Sequence, residues 1–328
     1  MIRVMVTGAG GFLGATLARR FASRDDVELT ALGRRAPPDF PHAAALDLHD
    51  KAVIARLLAE ARPDVVVHAA GRTPGKPGAL LADNVIVTAN LAAAIGDAAC
   101  GAGLVLLGSA AQYGVPDELT PWKETDPCSP FEPYGLSKHA AELAAFAAAR
   151  RAGFGVTALR IFNVVAPEPQ GEQVFAAFLR KAAAAAAAGP PPWRVQMGPL
   201  NVLRDFVDIE DVLLAVERVI ERGVWGEAIN LCAGVGRTAR ALLGAAAAQT
   251  GGAVAFDEET ATSHPELAWS VGDPAKCEAL LGFRPTSDLA PVTRRAAAWL
   301  VAAASEARLR AARPGDAHGE PADARSRA

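Results

Sequence analysis

The sequence predicts an α/β fold: a doubly wound parallel sheet followed by a smaller mixed domain towards the C-terminus. Two observations predict the sheet. A buried-strand pattern at residues 2–7 runs directly into a glycine-rich turn and then into a helical pattern of apolar residues. Short apolar runs then alternate with longer helical stretches as far as residue 161. That alternation is typical of parallel strands covered by helices on both faces.

The remaining elements follow in order along the chain. The strand-like runs are 27–32, 65–69, 104–108 and 156–161, and the helical stretches are 51–62, 84–100 and 134–151. Beyond Pro167 the pattern loosens into helices that include 182–188, 238–250 and 274–281. We therefore expect a first domain over 1–165 to which 204–232 returns, a second domain over 166–203 and 233–310, and a disordered tail over 311–328.

Composition argues against several classes of partner. The 328 residues carry a net charge of -3, which gives no electrostatic attraction to nucleic acid or to an anionic membrane. We find neither a leader pattern at the N-terminus nor an uninterrupted apolar run of spanning length, and therefore expect a cytoplasmic protein. The four cysteines have neither metal-ligand spacing nor a disulfide-rich setting, which predicts reduced thiols and no metal site.

Gly8, Gly11 and Gly14 lie between the first strand and the first helix, three residues apart. Glycines at these places permit a tight turn, close approach of the backbone to a pyrophosphate, and close packing of the helix on the strand. The amide groups at the start of the helix add donors and positive potential for an anion. The turn therefore predicts a phosphate cradle for a dinucleotide in a Rossmann-like domain.

Tyr134 and Lys138 stand one helical turn apart at the start of an alanine-rich helix. A cation beside a phenol favours the phenolate, so we expect Lys138 to lower the pKa of Tyr134 and to fit it for proton transfer at a carbinol oxygen. Ser109 follows the strand at 104–108, at the carboxyl edge of the sheet where open α/β sheets bind ligands. A solvated helix face and a serine that caps a loop are the alternative interpretations.

These motifs, in this order, resemble the extended short-chain dehydrogenase/reductase family, which includes NAD-dependent epimerases and dehydratases. Further segments that fit the family are 65–71, 84–91, 108–114, 159–163 and 204–211. The resemblance implies a catalytic set of Ser109, Tyr134 and Lys138, a nucleotide-sugar substrate, and a homodimer that packs the helices at 84–100 and 134–151 together. His68 has apolar neighbours, and we interpret it as a hydrogen-bonded histidine at a strand end.

The resemblance also implies a cofactor site. Its residues would be Gly8, Gly11, Phe12, Leu13, Gly14, Arg34, Arg35, Asp47, Leu48, Ala69, Ala70, Gly71, Asn84, Tyr134 and Lys138. The second strand ends in Arg34 and Arg35, where an acidic residue would hold the ribose hydroxyls of NAD. Because a guanidinium suits a 2′-phosphate, the sequence favours NADP(H), with NAD(H) possible; a solvated basic turn is the alternative.

Ala110 and Ala111 follow Ser109, where the related 4,6-dehydratases carry acidic or polar groups. Since alanine transfers no protons, dehydration is disfavoured, which leaves a 4-ketoreductase, a 4-epimerase or a simple dehydrogenase. The chain is most similar to GDP-sugar 4-ketoreductases, which predicts NADPH-dependent reduction of a nucleotide-linked 4-keto sugar. An NAD-dependent 4-epimerase and a non-catalytic NAD(P)-binding sensor or scaffold are the alternatives.

The resemblance assigns the substrate contacts to Ser109, Ala110, Asn163 and Arg204. Arg204 would hold the diphosphate of the nucleotide sugar, and Asn163 would contact the same group. An ion pair between Arg204 and Asp205 is the structural alternative. The sequence Ser-His-Pro-Glu at 263–266 stands where many relatives carry an Arg-Pro pair, so His264 would have to supply any second cation.

Overall fold

The structure is a computed structural model that describes residues 1–98, 101–116, 118–171, 173–198, 200–258 and 269–311. Three sequence predictions fall outside these residues: the role of His264, the thiol state of Cys100, and disorder of the tail from residue 312 onward.

The described residues contain thirteen strands. They are β1 (Ile2–Thr7), β2 (Val27–Gly33), β3 (Ala43–Ala45), β4 (Val65–His68), β5 (Gly103–Leu107), β6 (Val156–Ile161), β7 (Asn163–Val165), β8 (Trp193–Met197), β9 (Leu203–Asp208), β10 (Glu227–Leu231), β11 (Gly236–Thr238), β12 (Val254–Glu258) and β13 (Trp269–Ser270). The four strand-like runs predicted between residues 27 and 161 all form strands, with ends that differ by at most one residue.

Ten α-helices connect these strands in the described part of the chain. They are α1 (Phe12–Ala22), α2 (Lys51–Ala61), α3 (Pro77–Leu80), α4 (Val87–Ala98), α5 (Pro133–Ala152), α6 (Val174–Ala188), α7 (Ile209–Arg222), α8 (Ala239–Ala248), α9 (Ala275–Leu281) and α10 (Ala290–Ala311). A π-helical stretch, Leu81–Ile86, joins α3 to α4. The helix predicted at 84–100 therefore starts earlier, at Pro77, a residue that suits a first helical turn.

Seven of the described strands form one sheet in the order β10-β6-β5-β4-β1-β2-β3, and every pairing in it is parallel. The fold class predicted from the sequence is confirmed. The order reverses between β1 and β4, because the chain runs outward from β1 to β3 and then returns to the other side of β1. Open parallel sheets bind ligands beyond the carboxyl ends of the strands at such a point.

Both faces of this sheet are covered by apolar side chains. On one face Leu17 and Phe21 of α1 pack with Val212 and Val216 of α7. On the other face α2, α4 and α5 pack on the sheet, with Ile54 and other buried aliphatic residues at the centre. This burial on both faces explains why the strands are almost continuously apolar.

The remaining strands lie in smaller sheets. Strand β9 pairs with β7, β11 and β13, and β8 pairs in parallel with β12. A separate hydrophobic core packs α6, α8 and α10 around Phe175, Phe178 and Trp193. Strand β10 joins the large sheet, whereas β9 joins the small one, so the segment 204–232 is divided between the two.

The helical segment Pro77–Ala98 is long and apolar enough to cross a membrane by length and composition, which the sequence analysis did not anticipate. Half of its apolar window is buried inside the structure, where α4 packs against α2 and α5. Core helices of globular folds meet the same criterion, so this observation is weak evidence for a membrane.

Candidate active site

The glycine-rich turn closes tightly over the start of α1. Gly8 has a φ of 74°, and a Cβ there would lie 2.6 Å from the amide nitrogen of Ala70. A Cβ on Gly14 would overlap the carbonyl oxygen of Gly8, and the amide of Gly11 donates to that same oxygen at 2.8 Å. A backbone cradle that any larger residue would fill fits the pyrophosphate of a dinucleotide.

The turn after β2 lies beside this cradle. A Cβ on Gly33 would lie 2.8 Å from the carbonyl oxygen of Arg35 and 3.6 Å from the amide nitrogen of Gly10. Arg34 and Arg35 are exposed to solvent. Two basic side chains are thus available at the end of β2, next to the place where the adenosine half of a dinucleotide ends in this type of domain.

The other residues expected around the cofactor differ in environment. Asp47 is exposed and accepts a hydrogen bond from the amide of His49 at 2.9 Å, whereas Leu48 is buried. Phe12, Leu13, Ala69 and Ala70 are half-buried, and Gly71 is exposed.

Asn84 is buried and ties the loop after β4 to α5. Its Oδ1 accepts from the amide of Arg72 at 2.7 Å, and its Nδ2 donates to the Arg72 carbonyl at 2.9 Å and to Ser137 Oγ at 2.8 Å. These bonds assign Asn84 a role in holding the loop, and its contact with a cofactor remains a prediction.

Ser109 and Tyr134 come together at the carboxyl end of β5. Ser109 begins a short 3₁₀ turn, Ala110–Gln112, and its Oγ accepts from the amide of Ala111 at 3.2 Å. The first turn of α5 packs closely on this turn, because a Cβ on Gly135 would overlap the carbonyl oxygen of Ala111. Tyr134 precedes Gly135, and its hydroxyl interacts with those of Ser109 and Thr73.

Burial, rather than Lys138, dominates the pKa of Tyr134. Desolvation raises this pKa above its ordinary value, and hydrogen bonding with Ser109 and Thr73 lowers it in part. The predicted lowering by Lys138 is therefore wrong for the structure described. The reason is geometric: the ammonium group of Lys138 donates to the carbonyl of Leu107 at 2.6 Å.

Lys138 and His68 are both buried beneath this site. Burial lowers the pKa of Lys138 to about 8, and Glu142 opposes this shift. Burial and the charge of Lys138 lower the pKa of His68 to about 3, so this imidazole is neutral at pH 7. His68 contacts Thr7 Oγ1 at 2.7 Å and Thr88 Oγ1 at 3.0 Å, which confirms the prediction of a hydrogen-bonded histidine at a strand end.

The predicted substrate-binding residues lie in different places in the structure. Ala110 is buried in the core, although the resemblance placed it against the substrate. Asn163 Nδ2 donates to the Asp205 carbonyl at 3.1 Å, so Asn163 lies against β9 beside Arg204. No hydrogen bond or ion pair among the described residues joins Asn163 or Arg204 to Ser109, Tyr134 or Lys138.

Arg204 and Asp205 do not form the ion pair that was the structural alternative. Asp205 accepts from the amides of Ala233 and Gly234, each at 2.8 Å. Burial raises the pKa of Asp205 to about 6, with these amides opposing the shift. The Arg204 guanidinium donates to the Leu203 carbonyl at 3.0 Å, and among the described residues it pairs with no carboxylate. Arg204 is thus a partly buried cation whose charge is available to an anion.

Two parts of the site were missed by the sequence analysis. Thr73 lies in a loop without any pattern that marks it. Glu142 and Arg160 form a buried ion pair at 2.6 Å just below Lys138. The sequence did contain one indication of the Glu142–Arg160 pair, because Glu142 follows Lys138 by four residues and therefore shares its helix face.

Comparison with known proteins identifies the family. The family model described as "NAD dependent epimerase/dehydratase family" matches residues 4–232. The chain belongs to this family. It is therefore an NAD(P)-dependent enzyme of the extended short-chain dehydrogenase type, as the resemblance implied.

Relatives in the epimerase/dehydratase family include a dehydrogenase and a reductase of nucleotide sugars. The chain is 32% identical to dTDP-6-deoxy-L-talose 4-dehydrogenase (NAD(P)(+)) of Kitasatospora kifunensis, over 89% of this chain and 93% of that protein. It is 30% identical to GDP-6-deoxy-D-mannose reductase of Pseudomonas aeruginosa, over 74% and 78%. A solved structure of RMD from Pseudomonas aeruginosa complexed with NADPH superimposes with a TM-score of 0.77 at 25% identity, over 92% of this chain and all of that one.

The described residues provide neither a metal-binding cluster nor a reactive thiol. Among residues whose placement is described, no cluster of three or more His, Cys, Asp or Glu side chains is arranged to hold a metal ion. Cys128, Cys232 and Cys277 are free thiols, and burial raises the pKa of each, which makes them poor nucleophiles.

Proposed function

We propose that this protein reduces a nucleotide-activated 4-keto sugar with NADPH. The observation that carries the proposal is the meeting of Ser109 and Tyr134 above Lys138 at the carboxyl end of β5. The turn after Ser109 begins with Ala110 and Ala111, and neither side chain can act as a second acid or base. One proton donor and one orienting hydroxyl are sufficient to reduce a single carbon, but not to eliminate water across two.

The nicotinamide cofactor, when bound, supplies the hydride for the keto carbon. Tyr134 donates a proton to the oxygen of that carbon, and the raised pKa of Tyr134 keeps its hydroxyl protonated for this step. Ser109 donates a hydrogen bond to the same oxygen and orients it. Gly8, Gly11 and the start of α1 hold the cofactor phosphates, and Lys138 holds the ribose next to Tyr134.

NADP(H) is proposed over NAD(H) because of Arg34 and Arg35. Both side chains are exposed beside the glycine cradle, and β2 ends without an acidic residue that would reject a 2′-phosphate. Arg204, which pairs with no described carboxylate, is proposed to bind the substrate diphosphate together with Asn163.

A 4-epimerase is the second candidate, because the matching family includes epimerases by name and the same hydroxyl groups would serve that reaction. An epimerase returns the hydride to the same sugar, so it needs no external reductant. Cofactor that stays bound through purification, together with interconversion of nucleotide sugars without added NADPH, would identify the epimerase.

The first prediction tests the proton donor. Tyr134→Phe is expected to lower kcat by about 10²–10⁴-fold, because the neighbouring hydroxyls of Ser109 and Thr73 are aliphatic alcohols and much weaker acids than the phenol. The measurement is NADPH oxidation, followed by absorbance, with a panel of GDP- and dTDP-linked 4-keto sugars. The dissociation constant of NADPH, measured by fluorescence, serves as the control and is expected to stay unchanged. Turnover at the wild-type rate would contradict the assignment of Tyr134.

A further inference from the structure

Glu142 links the catalytic helix to the strand beside it. It lies on α5 one turn beyond Lys138, and its side chain is only 4% exposed. Its Oε1 lies 2.6 Å from Arg160 Nη2 and its Oε2 lies 3.2 Å from Arg160 Nε, which makes the pair bidentate. A third donor, Nε2 of Gln112, reaches Oε2 at 2.9 Å. One carboxylate thus joins α5, β6 and the turn that begins at Ser109.

Arg160 holds the same turn from its other side. Its Nη1 donates to the hydroxyl of Tyr113 at 2.8 Å and to the carbonyl of Glu124 at 3.2 Å. The Tyr113 hydroxyl donates to Asn230 Oδ1 at 2.6 Å. Since Gln112 and Tyr113 close the short turn that Ser109 opens, the ion pair fixes the end of this turn opposite to the catalytic hydroxyl.

Glu142 and Lys138 are four residues apart on the buried side of α5, so the carboxylate lies close enough to act on the buried charge of Lys138. A buried ammonium group needs a countercharge or it loses its proton. Among the described residues, the titratable groups around Lys138 are His68 from β4, Tyr134 from its own helix, and Glu142, with Arg160 beyond Glu142. His68 and Tyr134 are neutral at pH 7, so Glu142 is the carboxylate that offsets the charge of Lys138.

We propose that Glu142 is a positioning residue that acts in two directions: with Arg160 it holds the turn carrying Ser109, and it provides the buried countercharge of Lys138. Neither Glu142 nor Arg160 contacts the reacting atoms in this assignment. The consequence for turnover rests on the proposed ketoreductase function, whereas the consequence for the protonation of Lys138 does not.

The test measures the titration of Lys138 directly. The chain has only six lysines, so lysine labelled with ¹³C at Cε gives a simple NMR spectrum, in which Lys138→Met identifies the resonance of Lys138. In Glu142→Gln the titration midpoint of Lys138 is expected to fall by about one pH unit from its value of about 8 in the wild-type protein, because the countercharge is lost.

Glu217→Gln is the matched control. Glu217 is also a buried carboxylate held by arginine, with Arg20 Nε at 2.9 Å and Arg24 Nη1 at 3.3 Å, but it joins α1 to α7 away from Lys138. This variant is expected to leave the Lys138 midpoint in place. An unchanged midpoint in Glu142→Gln would overturn the proposal.

Unfolding of the protein would shift the titration midpoint of Lys138 in the opposite direction. In an unfolded chain the pKa of a lysine returns to about 10.4, so misfolding raises the midpoint whereas loss of the countercharge lowers it. The double variant Glu142→Gln with Arg160→Met also removes the arginine charge that Glu142→Gln alone leaves without its carboxylate, and it is expected to show the lowered midpoint in a folded protein.

Turnover provides the second measurement. In Glu142→Gln, kcat is expected to fall about tenfold or more while KM for the keto sugar changes little, because Ser109 is held less firmly. The alkaline limb of the pH profile is expected to move to lower pH with Lys138. If no keto sugar is reduced by the wild-type protein, the proposed function fails while the lysine titration still decides the role of Glu142.

Discussion

At the scale of single residues, burial sets the protonation states of the site. The hydrogen bonds around His68 show this most fully. Thr88 Oγ1 donates to the carbonyl of Asn84 at 2.6 Å, so towards His68 it can only accept, which puts the imidazole proton on Nε2. The Nδ1 atom then accepts from Thr7. His68 is thereby a fixed neutral residue beneath the site, which agrees with the proposal that Tyr134 is the proton donor.

The second prediction concerns the cofactor phosphate. Replacing Arg34 and Arg35 together by serine is expected to raise KM for NADPH by about tenfold or more and to leave KM for NADH almost unchanged, because the lost charge-assisted hydrogen bonds involve the 2′-phosphate alone. Steady-state kinetics with both cofactors measure this. Arg56→Ser removes another exposed arginine, one 3.9 Å from Glu60 on α2, and is expected to change neither constant. Equal losses for NADPH and NADH would contradict a role in selecting the phosphate.

At the scale of elements, the contact between α5 and the turn after Ser109 sets the distance between the hydroxyl groups of Ser109 and Tyr134. Gly135 allows this contact, because its Cα faces the carbonyl oxygen of Ala111. The buried side of α5 then carries Ser137, Lys138 and Glu142 into the site. The position of one helix end therefore determines where Tyr134 and Lys138 lie.

The third prediction follows from that contact. Gly135→Ala is expected to destabilise the protein by about 1–3 kcal/mol, since the backbone must move to admit the methyl group, and to lower kcat because Tyr134 moves with it. Gly244→Ala in α8 is the matched control. No atom lies within 4 Å of its added Cβ, so helix propensity alone is expected to stabilise the protein by about 0.5–1 kcal/mol. Urea unfolding measures both changes, and equal stabilisation of the two variants would show that the Gly135 contact is not tight.

Structural features that depend on neighbouring residues in the sequence could be predicted. Contacts between residues that are far apart in the sequence could not. The glycine spacing fixed the turn at Gly8, and apolar runs marked the strands, because both depend on neighbouring residues. The helical residues from Pro77 to Asp83 were missed, since their apolar pattern is weak before Asn84. The Glu142–Arg160 pair depends on β6 lying beside α5, and the position of Lys138 Nζ depends on the carbonyl of Leu107. The prediction that Lys138 lowers the pKa of Tyr134 was wrong for that reason.

At the scale of the whole molecule, large apolar side chains are exposed on α5 and on the helical segment beside it. Ile86, Leu136 and Leu143 are 49%, 49% and 55% exposed, and they lie on α5 and on the π-helical stretch that packs against it. Leu136 and Leu143 are seven residues apart and therefore share one face of α5. We predict that the homodimer implied by the resemblance forms through this surface.

The last prediction tests that dimer. Leu143→Glu, alone or with Leu136→Glu, is expected to shift the protein from dimer to monomer in sedimentation velocity, because a stable interface of about 1,200–2,000 Å² does not tolerate unpaired charges near its centre. Val301→Glu places the same charge on an exposed apolar position of α10, 44% exposed, and is expected to leave the dimer intact. Since α5 also carries Tyr134 and Lys138, loss of the dimer is expected to lower the melting temperature and kcat together. A wild-type protein that sediments as a monomer, or a Leu143→Glu variant that remains a dimer, would show that this face of α5 is not the interface.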